Sequence, residues 1–137
     1  MVSVIENMCF PLEDSSDTAH VLVSVRDFAT QAGFNAVQNT LVSTAVSELS
    51  TNIIKYAGRG CIRVDLVSDG LKEGLRIVAE DSGPGIADVD RAVNRVYSTG
   101  NSLGLGLPSV KRIMDSFDIV TAPGKGTRID VTKWREC

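Results

Sequence analysis

The sequence has no excess of positive charge, few cysteines and no long apolar run, and each of these absences excludes a class of protein. The formal net charge is -3 over 137 residues, and the pI is near 5.1. Proteins that bind the backbone of nucleic acids usually carry a basic face, so we exclude nucleic acid as a partner. No segment reaches the length that spans a bilayer, and the first residues lack the basic and then apolar pattern of a secretion signal. We expect a cytoplasmic protein with no membrane partner.

Cysteine and histidine are too few and too scattered to predict a disulfide framework, a zinc site or a phosphorylated histidine. The three cysteines, Cys9, Cys61 and Cys137, form no CxxC pair, which favours reduced thiols in a cytosolic protein. The single histidine, His20, falls early in a predicted helix and is interpreted as a surface residue. No repeat, linker or low-complexity segment divides the chain, so we expect residues 1–137 to form one domain.

Apolar periodicity predicts two long helices in the first half of the chain. The first follows several N-cap candidates, from Asp14 to Asp17, and stops at Gly33. The second opens with Asn35 and Gln38 in the pattern of a capping box and runs to about residue 57. A short helix is predicted at residues 88–96. A further helix begins just after Gly106, with an apolar face of Val110, Ile113, Met114 and Phe117.

Alternating apolar residues predict strands at residues 2–10, 61–67, 75–79, 119–122 and 127–134. The strand at residues 61–67 is expected to be half-buried, with Arg63 and Asp65 on its solvent side. This order of elements suits helices packed on one face of a mostly antiparallel sheet. The predicted fold class is therefore α+β, a two-layer α/β sandwich.

Two glycine turns bracket a polar loop between residues 80 and 110. The first is Asp81-Ser-Gly-Pro-Gly85 and the second is Gly104-Leu-Gly106, with Pro108 just inside the following helix. Glycine allows the backbone to approach a ligand closely, and N–H groups at a helix N-terminus bind phosphate. The pattern indicates a phosphate-bearing ligand, although an acidic residue in the position of Asp81 is usually one that caps its own turn.

Polar residues form a stripe along one border of the second long helix. Glu48 and Asn52 are four residues apart, so their side chains stand on neighbouring turns, and Lys55 follows on the same border. A carboxylate beside an amide oxygen suits a magnesium ion or a hydroxyl nucleophile. On spacing alone, an ordinary solvated helix border is the more common arrangement, because ExxxN occurs often.

The order of these motifs is more specific than any one of them. The chain carries ExxxN, DxGxG, a polar loop, GxGL before a helix and a GT pair near the end, and this order resembles the GHKL ATPase superfamily of gyrase, heat-shock chaperones, histidine kinases and MutL. The segments EDSGPGI, GLGLPSVKRIMD and GKGTRIDVTKW are most similar to the anti-sigma-factor-type serine kinases, and among these to the RsbT-like switch kinases of the stressosome. The resemblance covers essentially the entire chain and implies the Bergerat-type ATP-binding fold.

The resemblance implies ATP and Mg²⁺ as cofactors and gives each motif a role. Asn52 would coordinate Mg²⁺, Glu48 would be the general base, and Lys55 would touch phosphate. Asp81 would accept a hydrogen bond from the adenine amino group. The other implied nucleotide contacts are Gly83, Gly85, Ile86 and Thr127 at the base, Ser98, Thr99 and Gly100 in a lid at residues 98–103, and Gly104, Leu105, Gly106 and Leu107 at the phosphates. The lid lacks an arginine near Gly104, which leaves the residue that neutralises the γ-phosphate open among Arg95, Lys111 and Arg112.

The resemblance also implies a function in partner switching. It predicts a kinase that phosphorylates Ser or Thr of STAS-domain stressosome proteins and then activates a PP2C-type phosphatase. A second hypothesis is a nucleotide-dependent binding module that sequesters or activates a partner without kinase activity. A detached histidine-kinase catalytic domain is disfavoured, because the resemblance holds at both ends of the chain.

Overall fold

The computed structural model describes residues 2–86 and 106–136. The predicted helix at residues 88–96 and the predicted lid lie outside these residues. The elements are β1 (Ser3–Leu12), α1 (Ser15–Gln31), α2 (Ala36–Asn52), β2 (Gly60–Ser68), β3 (Glu73–Asp81), α3 (Gly106–Ile113), β4 (Ser116–Thr121) and β5 (Thr127–Trp134). In the described part of the chain, no helix is long and apolar enough to cross a membrane.

The strands form one five-stranded sheet in the order β1-β2-β3-β5-β4. Every neighbouring pair is antiparallel, so the predicted α+β fold is confirmed. The first strand was predicted to end before Pro11, but β1 continues to Leu12, which is buried. An edge strand tolerates proline, and β1 has this edge position.

A single hydrophobic cluster fills the space between the helices and one face of the sheet. The buried apolar residues of the helices and strands alternate as predicted; they include Val21, Val25 and Ala29 of α1, Val42, Ala45, Val46 and Leu49 of α2, Ile62 and Val64 of β2, Leu75 and Ile77 of β3, and Ile129 and Val131 of β5. The other face of the sheet is therefore the outer face.

The start of α2 shows half of the predicted capping box. The Asn35 Oδ1 atom accepts the Gln38 N–H at 2.8 Å. The Gln38 side chain does not reach back to the cap; its Nε2 donates to the Trp134 carbonyl at 2.9 Å, and its Oε1 accepts the Glu136 N–H at 3.3 Å. Gln38 is buried beside the end of β5. There its side chain provides the hydrogen-bond partners that the backbone groups of Trp134 and Glu136 need.

The end of α2 also differs from the prediction. The α-helix stops at Asn52, and a π-helical turn, Ile53–Ala57, continues to the predicted end. The Gly58 N–H donates to the Ile53 carbonyl at 2.9 Å. Such turns are often found at functional sites, and this one directly follows Asn52.

The outer face of the sheet is more buried than expected. Asp65 is only 2% exposed, and it pairs with Arg63 at 3.2 Å. Beside it, Arg76 forms a hydrogen-bonded ion pair with Asp130 on β5. The prediction of a solvent-facing Asp65 was therefore wrong. Its carboxylate can be buried because it has a charged partner.

The last helix is shorter than predicted. Phe117 was expected on its apolar face, but α3 ends at Ile113, and Phe117 lies on β4 opposite Val131. The chain turns from α3 into β4 at Asp115, and the turn is stabilised by the Asp115 N–H, which donates to the Thr132 carbonyl at 2.9 Å. The Asp115 carboxylate accepts the Trp134 N–H at 2.7 Å. These contacts with β5 end the helix and begin the strand.

Candidate nucleotide site

Glu48 and Asn52 lie on the last turns of α2, on the side that faces α3. Both side chains are partly buried. The Glu48 carboxylate accepts a hydrogen bond from the Gly106 N–H, the first residue of α3. The structure therefore joins the predicted base to the predicted phosphate-binding helix N-terminus, and Glu48 does not lie on an open, solvated border.

The environment of Glu48 changes its acidity. Burial raises the pKa of its carboxyl above the ordinary value, and the hydrogen bond from Gly106 partly opposes this shift. A general base works best when its pKa lies near the working pH. The raised pKa therefore suits Glu48 for proton transfer.

Asp81 ends β3 at the other side of the candidate site. It lies opposite Gly60 on β2 and opposite Thr127 on β5. Its Oδ1 atom accepts the Gly83 N–H at 2.9 Å, so the turn-capping interpretation of Asp81 is confirmed. The adenine contact requires an acceptor in addition to this bond, and it stays a prediction.

The first glycine turn packs against the turn between β4 and β5. A Cβ atom on Gly85 would lie 2.1 Å from the Ala122 carbonyl oxygen, and a Cβ atom on Gly83 would lie 2.6 Å from the Ala57 Cβ. The Gly124 N–H donates to the Pro84 carbonyl at 2.7 Å. Glycine is thus required here by chain packing, and close approach to a nucleotide stays a prediction.

Two residues that pack against the first glycine turn, Thr121 and Gly126, were not predicted as site residues from the sequence. The Thr121 Oγ1 atom accepts the Ile86 N–H at 2.9 Å and lies 2.8 Å from the Thr127 Oγ1. Gly126 is buried, and a Cβ atom there would lie 2.2 Å from the Asp81 carbonyl oxygen. The GT pair that singled out Thr127 also signalled Gly126, whereas nothing in the sequence marked Thr121.

The remaining predicted site residues are placed as follows. The Lys55 ammonium lies 5.2 Å from the centre of the Tyr56 ring, and Leu107 is buried. Lys111 and Arg112 are in the last turn of α3, more than one helical turn from the Glu48 contact at Gly106. Ser98, Thr99, Gly100, Gly104, Leu105 and Arg95 lie outside the described residues.

The donor set suits magnesium held mainly by a nucleotide. In residues 2–86 and 106–136, no group of three or more His, Cys, Asp or Glu side chains converges on one point. Magnesium in phosphate-transfer sites commonly takes one or two protein oxygens, with phosphates and water as the other ligands. The amide oxygen of Asn52, partly exposed one turn after Glu48, fits that need.

Comparison with known families agrees with this geometry. Residues 36–136 match the family described as histidine kinase-, DNA gyrase B-, and HSP90-like ATPase. The chain belongs to this ATPase family. The match to the GHKL ATPases begins at Ala36, the first residue of α2, so it includes Glu48 and every other candidate site residue.

Two relatives indicate the group of GHKL ATPases to which this chain is similar. It is 46% identical to the serine/threonine-protein kinase RsbT of Bacillus subtilis (strain 168) over 109 residues, which are 80% of this chain and 82% of RsbT. It is 32% identical to an anti-sigma F factor of Oceanobacillus iheyensis over 124 residues, 87% of this chain and 85% of that one. The resemblance to the GHKL superfamily and to its anti-sigma-type kinases is therefore confirmed.

Solved structures support the fold of this GHKL ATPase. The RsbU and RsbW domains of a Mycobacterium tuberculosis protein match with a TM-score of 0.69 and 15% identity, over 97% of this chain and 34% of that one. The SiaB-SiaC complex from Pseudomonas aeruginosa matches with a TM-score of 0.62 and 11% identity, over 96% of this chain and 90% of that one. At these identities the likeness concerns the fold alone.

Proposed function

We propose that this GHKL ATPase transfers the γ-phosphate of ATP to a Ser or Thr of a STAS-domain partner in the cytoplasm, and that it then activates a PP2C-type phosphatase in stress signalling. The enzyme class is that of a serine/threonine-protein kinase, as the identity with RsbT over most of both chains indicates. The identities of the phosphoacceptor domain and of the phosphatase are inferred from the resemblance to RsbT-like kinases. The observation that carries the proposal is the contact between Glu48 and the first N–H group of α3.

This contact explains how the chain could combine phosphate binding with proton transfer. The N-terminus of a helix attracts anions because its first N–H groups lack partners inside the helix. Glu48 accepts from one of these groups, at Gly106. A phosphate bound at the same N-terminus would therefore lie beside the carboxylate that must take the proton from the attacking hydroxyl.

The proposed step balances with these residues. The partner's hydroxyl oxygen attacks the γ-phosphorus, the bond from that phosphorus to the β,γ-bridging oxygen breaks, and ADP leaves. A Glu48 oxygen takes the hydroxyl proton, and the N-terminus of α3 stabilises negative charge on phosphate. The Asn52 amide oxygen would hold Mg²⁺, which supplies charge neutralisation at the phosphate oxygens. Positioning and electrostatics account for most of the catalysis in such a reaction.

The other end of the site would bind the base. Asp81 and Thr127 lie opposite each other on neighbouring strands, and the hydroxyl of Thr127 is within 2.8 Å of the Thr121 hydroxyl. An acidic acceptor beside a hydroxyl suits the amino group of adenine. Lys55, Ile86 and Leu107 keep their proposed nucleotide contacts, as do Ser98, Thr99, Gly100, Gly104 and Leu105, which lie outside the described residues.

A transfer experiment tests the proposal. Purified protein is incubated with γ-labelled ATP and a panel of STAS-domain proteins, with and without magnesium, and the labelled residue is identified by mass spectrometry. We expect magnesium-dependent, acid-stable label on Ser or Thr. Glu48→Gln should bind ATP within about threefold of the wild-type affinity but lose at least about a hundredfold in transfer rate.

Glu80→Gln provides the matched control, because Glu80 is an exposed carboxylate on β3 outside the proposed machinery. It should retain wild-type transfer. Full transfer by Glu48→Gln would remove Glu48 from the role of base. A wild-type protein that binds a STAS partner without labelling it would instead support the binding-module hypothesis, and acid-labile label would indicate phosphohistidine chemistry.

A further inference from the structure

Two of the three cysteines are neighbours on the outer face of the sheet. Cys9 on β1 lies opposite Arg63, and Cys61 on β2 lies opposite Pro11. Because side chains alternate along a strand, Cys9 and Pro11 point to the same face, and so does Cys61. The two cysteines are therefore diagonal neighbours on the same face of the β1–β2 pair.

The Cys9 thiol is close enough to the Cys61 thiol to affect the pKa of Cys61. Both are free, Cys9 is exposed, and Cys61 is partly exposed. Burial is the main cause that raises the pKa of the Cys61 thiol; Cys9 and the Glu80 carboxylate add to the shift, and Arg63 opposes it. An oxidant can therefore reach Cys9 first and find a second sulfur beside it.

We propose that Cys9 and Cys61 are a redox modification site that closes to an intramolecular disulfide when the protein meets a peroxide. The Cys9 thiolate attacks a peroxide oxygen, the O–O bond breaks, and one water leaves, which gives a sulfenic acid. The Cys61 thiolate attacks that sulfur, the S–O bond breaks, and a second water leaves. Two thiols lose two electrons, and the peroxide gains them.

The sheet allows the small movement that closure requires. The Cα atoms of a diagonal pair are about 7–8 Å apart, beyond the roughly 4.4–6.8 Å that disulfides accept, so closure requires the backbone to move by about 1 Å. Strand β1 is an edge strand with a neighbour on one side only, and its pairing with β2 already shifts register between Val4 and Glu6. Movement of β1 toward β2 at Cys9 therefore disturbs no second neighbouring strand.

A closed disulfide should stabilise the folded chain. It would join residues 9 and 61 and so enclose both α1 and α2. A cross-link over a loop of this length reduces the entropy of the unfolded chain. We expect the thermal midpoint of the oxidised protein to rise by on the order of 5 °C and to return after treatment with dithiothreitol.

The test uses the full chain with Cys137→Ser, so that the remaining pair is the only source of an internal disulfide. The protein is treated with hydrogen peroxide and digested without reduction. Mass spectrometry should find a cross-linked peptide that contains Cys9 and Cys61, lighter by two hydrogen atoms than the two reduced peptides together. Closure should accelerate as pH rises above neutrality, because the pKa of Cys61 is raised and its thiolate is the attacking group.

Single variants separate the two thiols. Cys61→Ala should form no cross-link and should accumulate a dimedone-reactive sulfenic acid on Cys9, with no rise in thermal midpoint. Cys9→Ser should show neither change. Circular dichroism verifies that each variant is folded. Only intermolecular Cys9 dimers, a closure rate that does not change with pH, or two thiols that stay reduced in folded protein would overturn the proposal.

Discussion

Glu48 lies where a carboxylate and a phosphate would use the same helix terminus. Its oxygen accepts from Gly106, and its pKa is raised by burial. A solvated glutamate would be ionised well below neutral pH. Burial at this position thus brings the pKa of Glu48 closer to the pH at which the enzyme works.

The raised pKa predicts an acid limb in the rate. Glu48 must be ionised to accept a proton, so kcat should fall as pH drops through the raised pKa of Glu48, at a higher pH than for an ordinary glutamate. We would measure transfer at saturating ATP between about pH 8 and pH 5. ATP affinity measured over the same range separates catalysis from binding. A constant kcat over this range would contradict the assignment of Glu48 as base.

Asp81→Asn should weaken nucleotide binding without unfolding the protein. The asparagine oxygen can still accept the Gly83 N–H, which Asp81 now accepts at 2.9 Å. The second position becomes an NH₂ donor, which cannot accept from the adenine amine. Loss of one hydrogen bond to a charged group should raise the Kd for ATP by roughly ten- to a hundredfold, as measured by calorimetry.

Asp69→Asn is the matched control for Asp81→Asn. Asp69 also caps a turn, since its Oδ1 accepts the Leu71 and Lys72 N–H groups at 2.9 and 2.8 Å. This turn joins β2 to β3 at the opposite end of the hairpin from Asp81. ATP affinity should be unchanged in Asp69→Asn. Equal losses in the two variants would indicate a general effect of turn capping.

At the scale of elements, the turn between β4 and β5 offers a sharp comparison of two glycines. Gly124 and Gly126 have φ values of 76° and 79°. A Cβ atom on Gly124 would meet nothing within 4 Å, whereas one on Gly126 would lie 2.2 Å from the Asp81 carbonyl oxygen. The two positions share the backbone cost of alanine at positive φ, and only Gly126 adds a clash with the end of β3.

Gly126→Ala should therefore be much more destabilising than Gly124→Ala. We expect a loss of about 1 kcal/mol for Gly124→Ala and about 3 kcal/mol for Gly126→Ala. Urea unfolding monitored by circular dichroism measures both values. Similar losses in the two variants would show that the turn moves away from Asp81 and that its close packing is not required.

The elements themselves were largely predictable from the sequence, and the contacts at their ends were not. Alternation located the strands, and helical spacing located α1 and α2, because these patterns depend only on the side of each element that is buried. The sequence could not show that Gln38 bonds to the end of β5, or that Asp115 does the same after α3. Those contacts depend on strand order, which periodicity does not specify.

The residues of the candidate site were likewise predictable from the sequence, whereas their contacts were not. The order of the motifs identified Glu48, Asn52 and Asp81, but their spacing could not place Glu48 against Gly106, since the two are 58 positions apart in the printed sequence. Nor could it show that Gly85 is required by the Ala122 carbonyl. Helical spacing likewise gave no sign of the π-helical turn Ile53–Ala57 after Asn52.

At the scale of the whole molecule, the end of β5 holds both long helices. Gln38 binds the Trp134 carbonyl at the start of α2. The Arg135 Nη1 atom donates to the Ala32 carbonyl, just after α1, at 2.7 Å and pairs with Glu73 at 3.1 Å. These contacts join the helical layer to the sheet at the end of α2 that is far from Glu48.

Gln38→Ala should reduce the stability of the whole protein. It leaves the Trp134 carbonyl and the Glu136 N–H without their partner and opens a small cavity, so we expect a loss of about 2 kcal/mol in the free energy of unfolding. Gln31→Ala is the control, because Gln31 is exposed and its Nε2 atom donates to the Asp27 carboxylate on the same helix at 3.2 Å. Its loss should stay within about 0.5 kcal/mol. Equal effects in urea unfolding would contradict the role of Gln38.

The strand order has a consequence for synthesis on the ribosome. β5 is made after β4, yet it lies inside the sheet between β3 and β4. Until residues 127–134 have left the exit tunnel, β4 has no neighbour, and Asp81 faces Gly60 alone, without Thr127. A nascent chain can complete β1, β2 and β3 early, but the strand pair expected to surround adenine forms only when β5 inserts. Nucleotide binding should therefore begin only after β5 has left the exit tunnel.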